Sequence, residues 1–217
     1  MKLLIATRNP GKVREITKIL EGLPLQILSL KSLEGVKPVP ETGHSFAENA
    51  RIKATAYYRQ TGILTLSEDS GLQVDCLEGQ PGRLSARFAA EDASDSDNVK
   101  KLLRLMRGVK TELRNARFVC AVAIADGRTV WLATGKCEGR IAHRPIGHNG
   151  FGYDPVFIPE GHVRTFANLG MPVKNEVSHR AQALKKARRI LERLIEKYPR
   201  ENENIRSRSG TSRPRVS

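Results

Sequence analysis

Apolar positions along this chain follow two spacings and switch between them repeatedly. "LLIA" (residues 3–6) is an unbroken apolar run that ends at Thr7, which predicts a buried strand over 2–6. From Val13 the spacing becomes helical, with Val13, Ile16, Ile19 and Leu20 on one face. "LQILSL" (25–30) predicts a second strand. Ser45 stands three residues ahead of Glu48, a capping-box pattern that opens a helix at Phe46. Phe46, Ala50, Ala54 and Tyr57 then form its core-facing side. "ILTLS" (63–67) reads as a strand that breaks into a turn at "EDSG", with a short strand in "LQVDCL" after it.

"DASDSDNVKKLLRLM" offers several possible caps and continues as a helix. Two β runs in "RFVCAVAIADGRTVWLAT" flank Asp126-Gly127, a strong hairpin signal. Gly- and Pro-rich loops lead to "FGYDPVFIP". A last helix begins near Ser178 and carries Leu184, Ala187, Leu191, Leu194 and Tyr198 down one stripe. Beyond Pro199 apolar residues nearly vanish, so a disordered basic tail is expected over 199–217, behind one domain over 1–198. Helices interspersed with strands, plus a hairpin, predict an α/β fold on a mixed sheet.

Charge changes this picture only at one end. The net charge is +14, and half of the excess lies in the last 33 residues. A basic balance invites polyanions, but a solvated helix and tail account for it as well. No interleaved aromatic runs of the RNA-binding type accompany it, so nucleic acid is an unlikely partner. Cys76, Cys120 and Cys137 are widely spaced with no C-x-x-C pair, which suits buried thiols in a reducing cytoplasm. The N-terminal apolar run falls short of a signal peptide, and no run approaches the roughly 18 residues of a membrane span.

Candidate chemistry sits in five segments. "TRNPGK" lies between a strand and a helix, where backbone N–H groups and a helix N-terminus attract phosphate. Asn9 and Lys12 add donors there, although the P-loop pattern fails at Ala6 and Val13, and a plain turn is the competing reading. In "SEDSG" two adjacent carboxylates, Glu68 and Asp69, repel each other; Mg²⁺ would relieve that cost, and one of them could deprotonate a water. An exposed acidic turn is the plainer alternative. Asn49 and Lys53 share one helical face behind Glu41. "NGFGYDPVF" offers two aromatic rings and an aspartate able to stack on a base and read its edge, or a structural turn. Lys174, His179 and Arg180 crowd the start of the last helix, where the macrodipole disfavours cations; a bound triphosphate would account for them. Together these make the inventory of a Mg²⁺-dependent enzyme acting on a nucleoside triphosphate.

The ordered set "TRNPGK", "ETGHSFAENARIKA", "SEDSGLQVDCLEGQPGRLSARFA", "NGFGYDPVF" and "SHRAQAL" resembles the inosine triphosphate pyrophosphatase family, from Leu3 to about Leu194. The resemblance implies an elongated α/β fold, with a mixed central sheet and flanking helices in two lobes around a substrate cleft, usually as a homodimer. It implies hydrolysis of ITP, dITP and XTP to the monophosphate and pyrophosphate, which keeps damaged purines out of DNA and RNA. Matched residue by residue, Thr7, Arg8, Asn9, Pro10, Gly11 and Lys12 fall on the triphosphate loop, and Lys53 on a phosphate-contacting lysine. Glu41 falls on a metal ligand, with Glu68 beside it; Asp69 is the metal-associated general base and Ser70 a substrate contact. Phe151, Gly152, Tyr153 and Asp154 match the base pocket, and Lys174, His179 and Arg180 further substrate contacts. Asn168 and Val173 depart from the family's usual glutamates.

Overall fold

The computed structural model describes residues 1–197; Tyr198 and the basic segment 199–217 lie outside the described residues. One six-stranded mixed sheet runs in the order β2-β1-β3-β4-β5-β6. Its strands are β1 (Lys2–Ile5), β2 (Gln26–Ser29), β3 (Thr65–Val74), β4 (Asn115–Ala125), β5 (Val130–Ile141) and β6 (Phe157–Pro159). β1 pairs parallel with β2 and β3, and all later pairings are antiparallel. Five helices flank it: α1 (Pro10–Leu20), α2 (Phe46–Thr61), α3 (Asp95–Leu105), α4 (Phe166–Val177) and α5 (His179–Lys197).

Several expected elements form for the expected reasons. The apolar stripes of α2 and α5 are buried throughout the described residues. Ser45 caps α2 by accepting from Glu48 N at 3.1 Å. The Glu48 carboxylate reaches one residue further back than a capping box requires, to His44 N at 2.5 Å. In the hairpin, Asp126 Oδ1 accepts from Arg128 N and Thr129 N and closes the turn between β4 and β5.

Three expectations fail. α1 starts at Pro10 rather than Val13, because Asn9 is the N-cap and proline suits the first helical position. Helix α4 was not signalled by its sequence: Gly170, at φ 75°, interrupts it and Pro172 lies inside it. Most consequentially, "EDSG" is not a turn. β3 runs unbroken through it, paired residue for residue with β4 from Thr65↔Ala125 to Val74↔Ala116.

This long strand positions the site. β1 pairs with β3 only at Leu4↔Thr65 and Ile5↔Leu66, so past that point β3 has lost its neighbour on that side. The chain leaves β1 into α1, which packs against α5, whereas α2 packs on β3 and β4. The carboxyl end of β1, where the neighbouring helices part, is where open α/β sheets bind ligands. Along β3, even-numbered residues face the side of α1 and α5. Leu66 belongs there to an apolar cluster with Leu3, Ile5, Ile16 and Leu184. Leu72 and Val74 belong to another with Leu102, Phe118, Phe157 and Phe166. Glu68 and Ser70 fill the polar interval between the two.

Candidate active site

Because β3 is a regular strand, Glu68 and Asp69 point to opposite faces of the sheet. They therefore do not form one metal-binding turn, and the expected joint role of Glu68 as a metal ligand with Asp69 is corrected here.

On the α5 face, Glu68 is bound by Lys12 and by Arg180 Nε at 3.1 Å, and the Cys120 thiol donates to it at 3.3 Å. Arg180 also donates through Nη1 to Glu15 Oε2 at 2.6 Å and through Nη2 to Ser70 Oγ at 3.0 Å. Lys174 Nζ lies 2.9 Å from Glu15 Oε1 and 2.5 Å from Asp154 Oδ2. Three cations (Lys12, Lys174, Arg180) thus meet three carboxylates (Glu15, Glu68, Asp154), nearly all out of water. Isolated buried ions cost several kcal/mol each, so this mutual compensation is what permits the cluster. Arg180, at the start of α5, and Lys174, in α4, are accounted for by these carboxylates without a bound triphosphate. Burial alone would push the Glu68 carboxyl up, but Arg180 and Lys12 outweigh it and hold Glu68 well below its ordinary range. His179 is neutral: burial, then the Arg180 charge, depress it well below the usual histidine value. Its ring stacks on Phe118 at 4.5 Å, and Nδ1 has no hydrogen-bond partner among the described residues.

On the α2 face, Asn49 Nδ2 donates to Asp69 Oδ2 at 3.0 Å, while Asn49 Oδ1 accepts from Gly43 N at 2.8 Å. Lys53, one turn along α2, donates to Glu41 Oε1 at 2.6 Å and to the Glu68 carbonyl at 2.8 Å, and stands 3.8 Å from Asp69 Oδ1. Two carboxylates here share one lysine. Burial first, and Glu41 in addition, raise the Asp69 carboxyl despite the opposing pull of Lys53. Access also separates the faces: the Glu41 side chain keeps 31% of its exposure and Asp69 10%, against 0% for Glu68.

The opening loop is ordered by its own residues. Asn9 Oδ1 accepts from Gly11 N at 2.8 Å and Lys12 N at 3.2 Å, so two amides expected to face phosphate are already satisfied. Thr7 Oγ1 accepts from Asn9 N, and Arg8 and Pro10 are exposed. Gly11 is required by close approach: a Cβ there would come within 2.8 Å of the Phe151 ring.

Between loop and network lies a cavity of about 100 Å³, lined among others by Asn9, Lys12, Ser70, Phe151, His179 and Arg180. Cavities for whole ligands run to several hundred Å³, so this one accepts only a part the size of a base. Phe151 is its aromatic wall, with Lys174 Nζ 4.2 Å from the ring centre. Tyr153 also lines the cavity and is otherwise buried, its hydroxyl donating to the Ser85 carbonyl at 2.9 Å. Asp154 Oδ2 accepts from Phe151 N and from Lys174, fixing the bend of the loop.

The structure thus brings Lys12, Ser70, Phe151, Gly152, Tyr153, Asp154, Lys174, His179 and Arg180 to one side of β3, and Glu41, Lys53 and Asp69 to the other. Sequence reading missed Glu15 and Asp95. Glu15 lies between apolar positions of α1 and reads as solvent-facing; Asp95 is one of several acids at a helix start.

Comparison with known proteins gives concordant results. The family model described as Ham1 family matches residues 3–190. The dITP/XTP pyrophosphatase of Desulforamulus reducens is 48% identical over 196 residues, 89% of this chain and 97% of that protein. The Bacillus subtilis protein of the same name is 44% identical over 190 residues, 87% and 96% of the two chains. Among solved structures, the Staphylococcus aureus Ham1 protein is similar with a TM-score of 0.80 at 33% identity, covering 89% of this chain and 100% of that one. A HAM1 protein from Coxiella burnetii gives 0.81 at 35% identity, covering 89% and 99%.

Proposed function

Because this chain belongs to the Ham1 family, we propose that it is a nucleoside triphosphate pyrophosphatase cleaving non-canonical purine nucleotides (dITP, XTP and ITP) to the monophosphate and pyrophosphate. The observation that carries the reading is the carboxylate pair Glu41–Asp69, which shares the single lysine Lys53 at the edge of β3, with a base-sized cavity walled by Phe151 on the strand's other side. The relatives named dITP/XTP pyrophosphatases support the substrate class.

Asp69 is the general base. It takes a proton from a water whose oxygen attacks the α-phosphorus, as the bond to the bridging oxygen of the β-phosphate breaks. A carboxyl raised above its ordinary value is a better proton acceptor than an exposed one. Asn49 and Lys53 hold its two oxygens in a fixed orientation. The donor set fits Mg²⁺: Glu41 and Asp69 are hard oxygen ligands whose mutual repulsion a divalent cation relieves, with phosphate oxygens and water completing the shell. Bound there, the ion would neutralise phosphate charge. His179 and Arg180 line the cavity and favour a purine carrying a 6-oxo group. A site built of donors leaves one unpaired against a 6-amino group, which disfavours adenine by about 1–3 kcal/mol. Homodimerisation, a cytoplasmic location and protection of DNA and RNA from damaged purines complete the proposal.

The test is product release from XTP, dITP, ITP, ATP and GTP with and without Mg²⁺. Pyrophosphate from the first three, abolished by chelation, is expected. Orthophosphate as the only product would overturn the reading.

A further inference from the structure

Phe151 and Gly152 lie in a segment with three glycines at positive φ, Gly147, Gly150 and Gly152. Such a segment does not hold its own shape, since glycine leaves both signs of φ open. Phe151 N donates to Asp154 at 2.9 Å within the loop, Asn149 Nδ2 donates to the Ala167 carbonyl of α4 at 3.1 Å, and the Tyr153 hydroxyl donates to the Ser85 carbonyl at 2.9 Å. The backbone of Gly152 is tied to α3: Gly152 N donates to Asp95 Oδ2 at 2.6 Å.

Asp95 is the first residue of α3, where an acid is ordinarily explained by the helix dipole. Here that explanation is not needed for capping. Ser94 Oγ accepts from Asp97 N, and the Asp97 carboxylate accepts from Ser94 N, so the helix start is already closed by a complete capping box. The Asp95 carboxylate is left to reach across, and it lines the base-sized cavity on one side and a second cleft, with Arg144 and His148, on the other.

We infer that Asp95 is a positioning residue: its carboxylate latches Gly152 and so holds the Phe151 ring at the distance from Lys174 and Arg180 at which the purine is gripped. This rests on the cavity being the base pocket of the proposed enzyme. The latch acts on the base end of the substrate and leaves Asp69 and Glu41, across the sheet, untouched.

The test uses Asp95→Ala and Asp95→Asn in the full chain, since asparagine keeps an acceptor for Gly152 N and loses only the charge. Hydrogen exchange of the peptide spanning residues 148–153 reads the latch directly, whatever the enzyme's activity. Steady-state kinetics with XTP, and inhibition by inosine monophosphate and by pyrophosphate, read its consequence. Asp95→Ala should speed exchange and raise KM and the monophosphate inhibition constant about tenfold, the scale of one lost charge-assisted hydrogen bond. In that variant kcat and pyrophosphate inhibition should stay within about twofold. Asp95→Asn should sit near the wild type in all of these. Exchange unchanged in Asp95→Ala, faster exchange with unchanged KM, or equal effects of the two substitutions would each overturn the inference. Absence of pyrophosphate release by the wild type would instead remove the functional reading, and exchange would still decide the latch.

Discussion

Glu68 and Asp69 are adjacent in sequence, both acidic and both buried in one strand, yet the two faces of β3 treat them in opposite ways. On the Glu68 face every buried carboxylate is matched by a cation, and Glu68 is held well below its ordinary value. On the Asp69 face two carboxylates share Lys53, and Asp69 is raised. Matched charge fixes geometry and leaves no negative charge over for a cation. Unmatched negative charge is what a divalent cation, or a proton from water, can use. Burial of an acid is not by itself a sign of catalysis; the balance of charge around it is.

The largest effect should come from unbalancing the closed face. Glu68→Gln leaves Lys12 without its partner and Arg180 with Glu15 alone, and breaking a buried ion cluster typically costs about 3–5 kcal/mol. Denaturant unfolding of the variant measures this, and a loss below about 1 kcal/mol would show that the network is not the compensated unit described. The sign of the pH dependence follows from the depressed value of Glu68. Its stabilisation is fully present above the ordinary carboxyl value of 4.5 and is lost as pH falls from there through the folded value. The wild type should lose stability on that acid limb and Glu68→Gln should show less of it. His179, kept neutral, contributes a separate loss that begins nearer pH 6.5 and persists in the variant.

Asp69→Asn should do the reverse, sparing the fold and removing the chemistry. A raised carboxyl contributes stability fully below its unfolded value near 3.8, and that contribution is lost as pH rises from there through the folded value. At neutral pH asparagine therefore costs nothing in stability and relieves some repulsion with Glu41. Turnover should fall at least about a hundredfold, the usual worth of a general base. Melting temperature and kcat measured on one preparation separate the two effects. Near-normal kcat would take the base role away from Asp69.

Much of this was legible in the sequence, for identifiable reasons. The stripes of α2 and α5 and the hairpin at Asp126-Gly127 follow from periodicity and turn chemistry, both local properties. The helical spacing of Asn49 and Lys53 put both on the face that meets Asp69. What local pattern could not supply was the strand under "EDSG". Two acids and a glycine look like a turn, and only pairing with β4, fifty residues away in sequence, makes them a strand. That one error placed Glu68 and Asp69 side by side instead of back to back. Glu15 escaped notice for a related reason: an acid between apolar helix positions looks solvated until Lys174 and Arg180 arrive from the far end of the chain. Lys174 and Arg180 did signal something unusual, but the partners the structure gives them are protein carboxylates.

The smallest expected effect is also the one that draws the boundary between the two faces. Lys12 belongs to the closed network through Glu68, yet its side chain keeps 20% of its exposure and lines the cavity beside Asn9. It sits in the first turn of α1, where a cation gains nothing from the helix dipole, so its position is maintained by Glu68. Lys12→Ala leaves Glu68 still paired with Arg180, so stability should fall by only about 1 kcal/mol. KM for XTP should rise, by no more than about tenfold because Glu68 already offsets part of the charge, and the rise should shrink as salt is added. A stability loss with unchanged KM would assign Lys12 wholly to the closed face. The opening loop "TRNPGK" would then be an N-capped helix start, with its phosphate-binding role left to Thr7, Arg8 and Asn9.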